Sequence, residues 1–246
     1  MKRTSTLVAL FCLIQSLAYG QKKYVMVIEK TDGTETVINV EDIVRTYFRE
    51  SGVSYTTCPD GNHPHMIDLG LPKGTKWACC NVGANAPEEF GDYFAWGETQ
   101  PKEVYDWSTY IHCDGSEDTC HNIGSDISGN KDYDAATANW GSPWKMPTDE
   151  HFIELIDNCT PEWTQENGIY GWKFTGSNGG NIFLPAAGAR WDDKIDHPGE
   201  HGFYWSSTLE ESGQRYALKL FFDSWSANWD EFGLSRHYGF TVRPVR

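Results

Sequence analysis

Seven residues near the end of the chain have side chains suited to holding a ligand: Trp225, Asn228, Trp229, Asp230, Phe232, Arg236 and His237. Flat aromatic rings stack on sugar rings or anchor protein interfaces, and Asn, Asp and Arg supply directional hydrogen bonds beside them. All seven fall within Ser224 to His237, a stretch with no apolar period. The segments on either side do have one. Tyr216, Leu218, Leu220 and Phe222 alternate with other residues, as do Phe240 and Val242. That spacing predicts two strands with one buried face each, fixing the ends of an irregular, exposed recognition loop. Tyr238, beside the second strand, is expected in the core, as are Trp144, Phe152, Leu155 and Trp205.

Catalytic chemistry finds less support. The adjacent acidic pairs Asp192-Asp193 and Glu210-Glu211 send their side chains apart, which does not suit two carboxyls flanking one glycosidic bond. His63, His65, His112 and His121 lie near cysteines, but their spacing matches no zinc pattern. We therefore expect no catalytic residue, no metal-ligand set and no cofactor. Loop carboxylates such as Asp132 and Asp134 leave room for a structural calcium ion.

The front of the chain reads as an export signal. Lys2 and Arg3 precede an apolar run from Leu7 to Leu17 that is too short to span a bilayer. Ala18-Tyr19-Gly20 then offers small residues to a signal peptidase. Residues 1–20 are expected to be removed and the protein to act in the periplasm, at the cell surface or outside. No later stretch reads as transmembrane. Of the seven cysteines, Cys12 leaves with the signal, and six remain for disulfides with 15 possible pairings. Cys113 and Cys120 bracket a turn-forming stretch and are expected to pair. Cys58 with Cys79 would pin the start of the main domain. Cys80 with Cys159 would complete the set, with Cys79 and Cys80 on opposite faces of a strand. Cleavage leaves 18 basic against 35 acidic residues, a formal charge of −17. Such a surface repels nucleic acid and anionic membranes, so the expected partner is a glycan or a protein.

Residues 21–50 read as a β-hairpin unit: two alternating runs flank Asp32-Gly33, and 44–48 could add a strand. Residues 51–57 are a polar linker, and the main domain fills 58–246. Within it, Met66–Pro72 and Lys76–Ala78 form a hairpin pattern about Pro72-Lys73-Gly74. Asp134 can cap a short helix that Gly141 stops. Thr148 can cap a second, whose Phe152, Leu155, Ile156 and Cys159 make one apolar stripe. The sequon Asn158-Cys159-Thr160 overlaps that stripe and is read as accidental.

Several short motifs carry a family resemblance. They are Asp68-Leu69-Gly70-Leu71-Pro72, Trp77-Ala78, Asp92-Tyr93-Phe94-Ala95-Trp96-Gly97-Glu98, Trp144-Lys145-Met146-Pro147-Thr148, Phe183-Leu184-Pro185-Ala186-Ala187-Gly188, Tyr204-Trp205-Ser206-Ser207 and Val242-Arg243-Pro244-Val245. Together, over residues 58–246, they resemble the Fibrobacter succinogenes major paralogous domain family as found in gut Bacteroidetes. That family is related to formylglycine-generating-enzyme-like domains. The resemblance implies an α+β, C-type-lectin-like domain: a twisted antiparallel sheet, two helices, long loops and termini close together. It implies a C-terminal segment that binds ligands and that in some relatives is diversified by retroelements. The 24–48 hairpin resembles a leader unit of the same proteins. No cysteine follows Cys159, so the paired C-terminal thiols of the formylglycine-generating enzyme have no counterpart. The Glu-Pro-Asn turn of calcium-dependent lectins is also missing. A structural or partner-docking role, with the hairpin extending a neighbour's sheet, is the alternative to ligand binding.

Overall fold

The computed structural model describes residues 25–29, 34–39, 66–211 and 213–246. The chain divides into two compact units, Met1–Val53 and Ser54–Arg246. In the first, β1 (Val25–Glu29) pairs antiparallel with β2 (Glu35–Asn39), and Val27 faces Val37 across the ladder. This is the hairpin that the alternating runs predict. The signal peptide, the third strand at 44–48, the linker and Cys58 lie outside the described residues.

The second unit is α+β, built from antiparallel ladders and two helices. It opens with the hairpin of β3 (Met66–Asp68) and β4 (Lys76–Ala78), whose turn is closed by Gly74 N–H donating to Leu71 O. Helix α1 (Ala135–Trp140) begins where the Asp134 side chain accepts from Thr137 N–H, and it ends at Gly141, which takes φ 77°. Helix α2 (Asp149–Asn158) starts with a capping box. The Thr148 side chain accepts from the N–H of His151, and Thr148 N–H donates to Nδ1 of His151. Its apolar stripe buries Phe152 and Leu155, with Ile156 packed alongside.

Two three-stranded sheets follow. β5 (Cys159–Glu166), β6 (Ile169–Gly176) and β7 (Asn181–Pro185) form the first. Asn167-Gly168, with φ 47° and 88°, makes the tight turn between β5 and β6. After the small hairpin β8 (Ala189–Trp191) and β9 (Lys194–Asp196) comes the second sheet. It orders β10 (Gly202–Leu209), β11 (Tyr216–Phe222) and β12 (Ala227–Ser235), with β11 in the middle. Helix α2 lies against strands of both sheets. The core joins Phe152 and Leu155 to Trp77, Phe174, Leu184 and Leu220. A second cluster gathers Phe94, Trp96, Trp205 and Phe240 against α1.

Two expectations for the C-terminal region are corrected. Residues 224–237 are not one irregular loop, because 227–235 form β12. Main-chain pairing with β11 needs no side-chain period, so the strand leaves no alternating signature. The face of β11 also changes midway. Ala217, Leu220 and Phe222 are buried, whereas Tyr216 and Leu218 are only half-buried. The register slips on both sides of β11 between Ala217 and Lys219, and this inverts the alternation. The closing segment from Gly239 onward is buried as expected, but it touches its neighbours through isolated bridges. Gly239 meets Arg190, Phe240 meets Phe94, Thr241 meets Tyr204, and Val245 meets both Trp77 and Lys145.

Candidate ligand groove

The hairpin between β11 and β12 turns on Asp223. Its Oδ1 accepts from the N–H groups of Trp225, at 2.8 Å, and Ser226, at 3.0 Å. Its own N–H donates to Ser226 O, and its carbonyl accepts from Trp172 Nε1 at 2.7 Å. The turn is thereby fixed to the neighbouring sheet, and it presents Trp225 to solvent with 90% of its surface exposed.

Trp225 stands over a groove of about 370 Å³, lined also by Trp163, Tyr170, Glu200, His201 and Asp223. The Asn167-Gly168 turn brings Trp163 of β5 and Tyr170 of β6 into a stacked pair. Their rings are 6.0 Å apart and within 4° of parallel. Trp163 is held edge-on by Trp172 and Phe222, so this flat surface rests on the core. On the other side, the His201 ring packs 5.5 Å from Phe221, and Glu200 Oε2 lies 3.2 Å from His197 Nδ1. The groove therefore pairs flat apolar rings with two carboxylates.

The predicted site residues separate. Trp225 is exposed, as read from the sequence. Asn228, Trp229, Asp230 and Phe232 lie on β12, and their side chains lie outside the described residues. Arg236 and His237 are corrected, being buried rather than displayed. The Arg236 guanidinium lies 4.7 Å over the Trp96 ring and 5.4 Å from Tyr110, while Nη1 donates to the carbonyls of Gln214 and His121. His237 packs 4.3 Å from Trp107 with the rings tilted by 49°, and burial holds it neutral, with its pKa lowered to about 4. The chain turns inward after β12 and takes both side chains with it. Tyr238 is half-buried beside Trp191.

Trp163, Tyr170, Glu200 and His201 were not picked out by the sequence reading. The Asn-Gly pair between two alternating runs is the signal that could have placed the first two on facing strands.

Elsewhere, Cys113 and Cys120 form a disulfide as expected. The Cys80–Cys159 pairing is corrected, since Cys159 is a buried free thiol at the end of α2. Cys79 and Cys80 occupy a bend after β4, and their sulfurs come within 3.4 Å of each other rather than pointing to opposite faces. The Cys58–Cys79 pairing involves a residue outside the described set. Asp134 is occupied structurally, accepting from the N–H groups of Gly129, Thr137 and Met146. Among the described residues, no group of three or more His, Cys, Asp or Glu side chains is placed to hold a metal ion. Nor is any described helix long and apolar enough to cross a membrane. Asp192, Asp193 and Glu211 are exposed and Glu210 is half-buried. Comparison with protein-family models, curated proteins and solved structures finds no match to this chain.

Proposed function

We propose that the protein is an exported, non-catalytic recognition module that binds a glycan or protein ligand in the groove beneath Trp225. The observation that carries this reading is the fixed turn at Asp223, which holds a large aromatic ring 90% exposed above a concave aromatic surface. An indole this exposed adds little burial to the fold, whereas an aromatic ring carried on a fixed backbone turn is a ready anchor for a ligand. The acidic surface and the signal-like leader agree with an extracytoplasmic partner of neutral or cationic character. The resemblance of residues 58–246 to the major paralogous domain family supports a C-type-lectin-like arrangement. So does the pairing of β4 with the closing segment, through Lys76 N–H to Arg246 O and Ala78 N–H to Pro244 O. The test is an array of glycans and proteins probed with the purified chain and with Trp225→Ala. Binding that disappears in the variant, at an unchanged melting temperature, supports the groove. Binding that survives the substitution moves the site elsewhere.

A further inference from the structure

We propose that the occupant of this groove is a neutral carbohydrate, stacked on Trp163, Tyr170 and Trp225, and that Glu200 and Asp223 exclude acidic sugars. This rests on the recognition reading above and narrows its ligand to one class.

The dimensions speak first. A groove of about 370 Å³ falls in the roughly 300–1,000 Å³ range of small-molecule sites. A stable protein interface buries about 800 Å² on each partner, far more than this concavity offers. The site suits a compact ligand or one short stretch of a polymer.

The shape of the lining speaks next. Trp163 and Tyr170 are stacked, parallel to within 4°, so the pair forms an aromatic platform whose outer face is flat and apolar. A pyranose ring carries an apolar face of C–H groups that matches such a platform, and its positive C–H edges meet the negative face of an aromatic quadrupole. An aliphatic peptide side chain needs no flat surface, and a lipid tail would meet the two carboxylates.

Those carboxylates supply the polar half. Asp223 Oδ1 is used by the turn, where it accepts from Trp225 and Ser226, so the residue cannot swing away. Its second oxygen can still accept. Glu200 is steadied by His197 Nδ1 at 3.2 Å. Vicinal sugar hydroxyls donate to such acceptors, which become strong hydrogen-bond partners when ionised. The same two charges repel a uronate, sialate or sulfate brought into the groove, and the chain's large negative charge adds to that field. Aromatic stacking therefore selects a sugar, and the carboxylates select an uncharged one.

The experiment is calorimetric titration of the full chain with two sets of probes. The neutral set comprises oligosaccharides of glucose, mannose, xylose and N-acetylglucosamine. The acidic set comprises oligogalacturonate and a heparin oligosaccharide. We expect at least one neutral probe to bind, with at least about tenfold loss in Trp225→Ala and in Tyr170→Ala, and acidic probes to bind at least about tenfold more weakly. Glu200→Gln combined with Asp223→Asn keeps the turn's acceptor and removes both charges, so it should narrow the gap between neutral and acidic probes. Tightest binding by an acidic probe, or a gap unchanged in the double variant, overturns the charge selection. Array hits that are proteins alone, lost in Trp225→Ala, overturn the carbohydrate class and leave the recognition reading standing. If no probe, in the titrations or on the array, depends on Trp225, both fail.

Discussion

Trp96 and Trp205 reach across each other in the core. Trp96 Nε1 donates to Ser206 O at 2.9 Å, and Trp205 Nε1 donates to Phe94 O at 2.8 Å. Each indole thus satisfies a carbonyl in the other's strand region, and Trp205 also packs 4.1 Å from Phe240. Trp205→Ala removes a fully buried ring and one of the two hydrogen bonds to Phe94 O, which keeps the one from Phe240 N–H. It should cost about 3–5 kcal/mol in urea unfolding, and a variant that melts like the parent would refute this core assignment.

The two buried arginines should behave differently. Arg243 spends every donor: Nε on Asn81 Oδ1, Nη1 on the carbonyls of Ala78 and Cys79, and Nη2 on those of Phe183 and Pro87. Its replacement by Met strands several buried acceptors and should cost more than about 3 kcal/mol. Arg236 has Nε and Nη2 without an acceptor among the described residues, so part of its desolvation is never offset. Arg236→Met keeps much of the packing on Trp96 and should be within about 1 kcal/mol of neutral, or stabilising. Paired denaturant titrations would decide, and equal losses would contradict the distinction.

Acid should weaken the fold in a defined window. Burial lowers the pKa of His237 to about 4, against 6.5 for an unperturbed histidine. Between those values the unfolded chain binds a proton that the folded one refuses. Stability therefore falls as pH drops from about 6.5 towards 4, by up to about 3 kcal/mol from this residue. Burial shifts His112 and His151 the same way, and protonating His151 also removes the acceptor in the cap of α2. Asp134 acts oppositely, since burial raises its carboxyl. Melting temperatures across this range should fall towards acid, and the fall should shrink in His237→Phe. A flat profile would argue against neutral, buried histidines.

The cysteines predict a simple labelling pattern. Cys113 and Cys120 should be recovered as a linked peptide, and reducing that short loop should cost about 2–3 kcal/mol. Cys159 should be labelled by iodoacetamide only after unfolding. Burial, and to a lesser degree Glu154, pushes its thiol up to about 11, leaving about one thiolate in a thousand at pH 8. Rapid native labelling of Cys159 would contradict its place in the core.

Local signals carried the sequence reading where one residue determines the geometry. Asp134, Gly141 and Thr148 mark helix ends by capping, and the stripe through Phe152 and Leu155 gave the buried face of α2. The hairpins β1–β2 and β3–β4 were legible from alternation and turn residues. β12 was not, because its pairing rests on main-chain groups and its register slips opposite β11. Arg236 and His237 looked like display residues because charge usually seeks water. Their burial depends on Trp96, Tyr110 and Trp107, far away in sequence. The groove was half legible for a similar reason. Trp225 follows a local Asx turn, whereas Glu200 and His201 join it only through the packing of separate loops.

The bridges made by Gly239 to Val245 have a consequence for synthesis. This one segment closes against Phe94, Arg190, Tyr204, Trp77 and Lys145, residues from most of the unit's length. Until it is available, the tryptophan cluster around Phe240 and the cage around Arg243 lack their central members. A chain truncated before Gly239 should therefore leave both clusters open, and its exposed apolar segments should make it a target for chaperones.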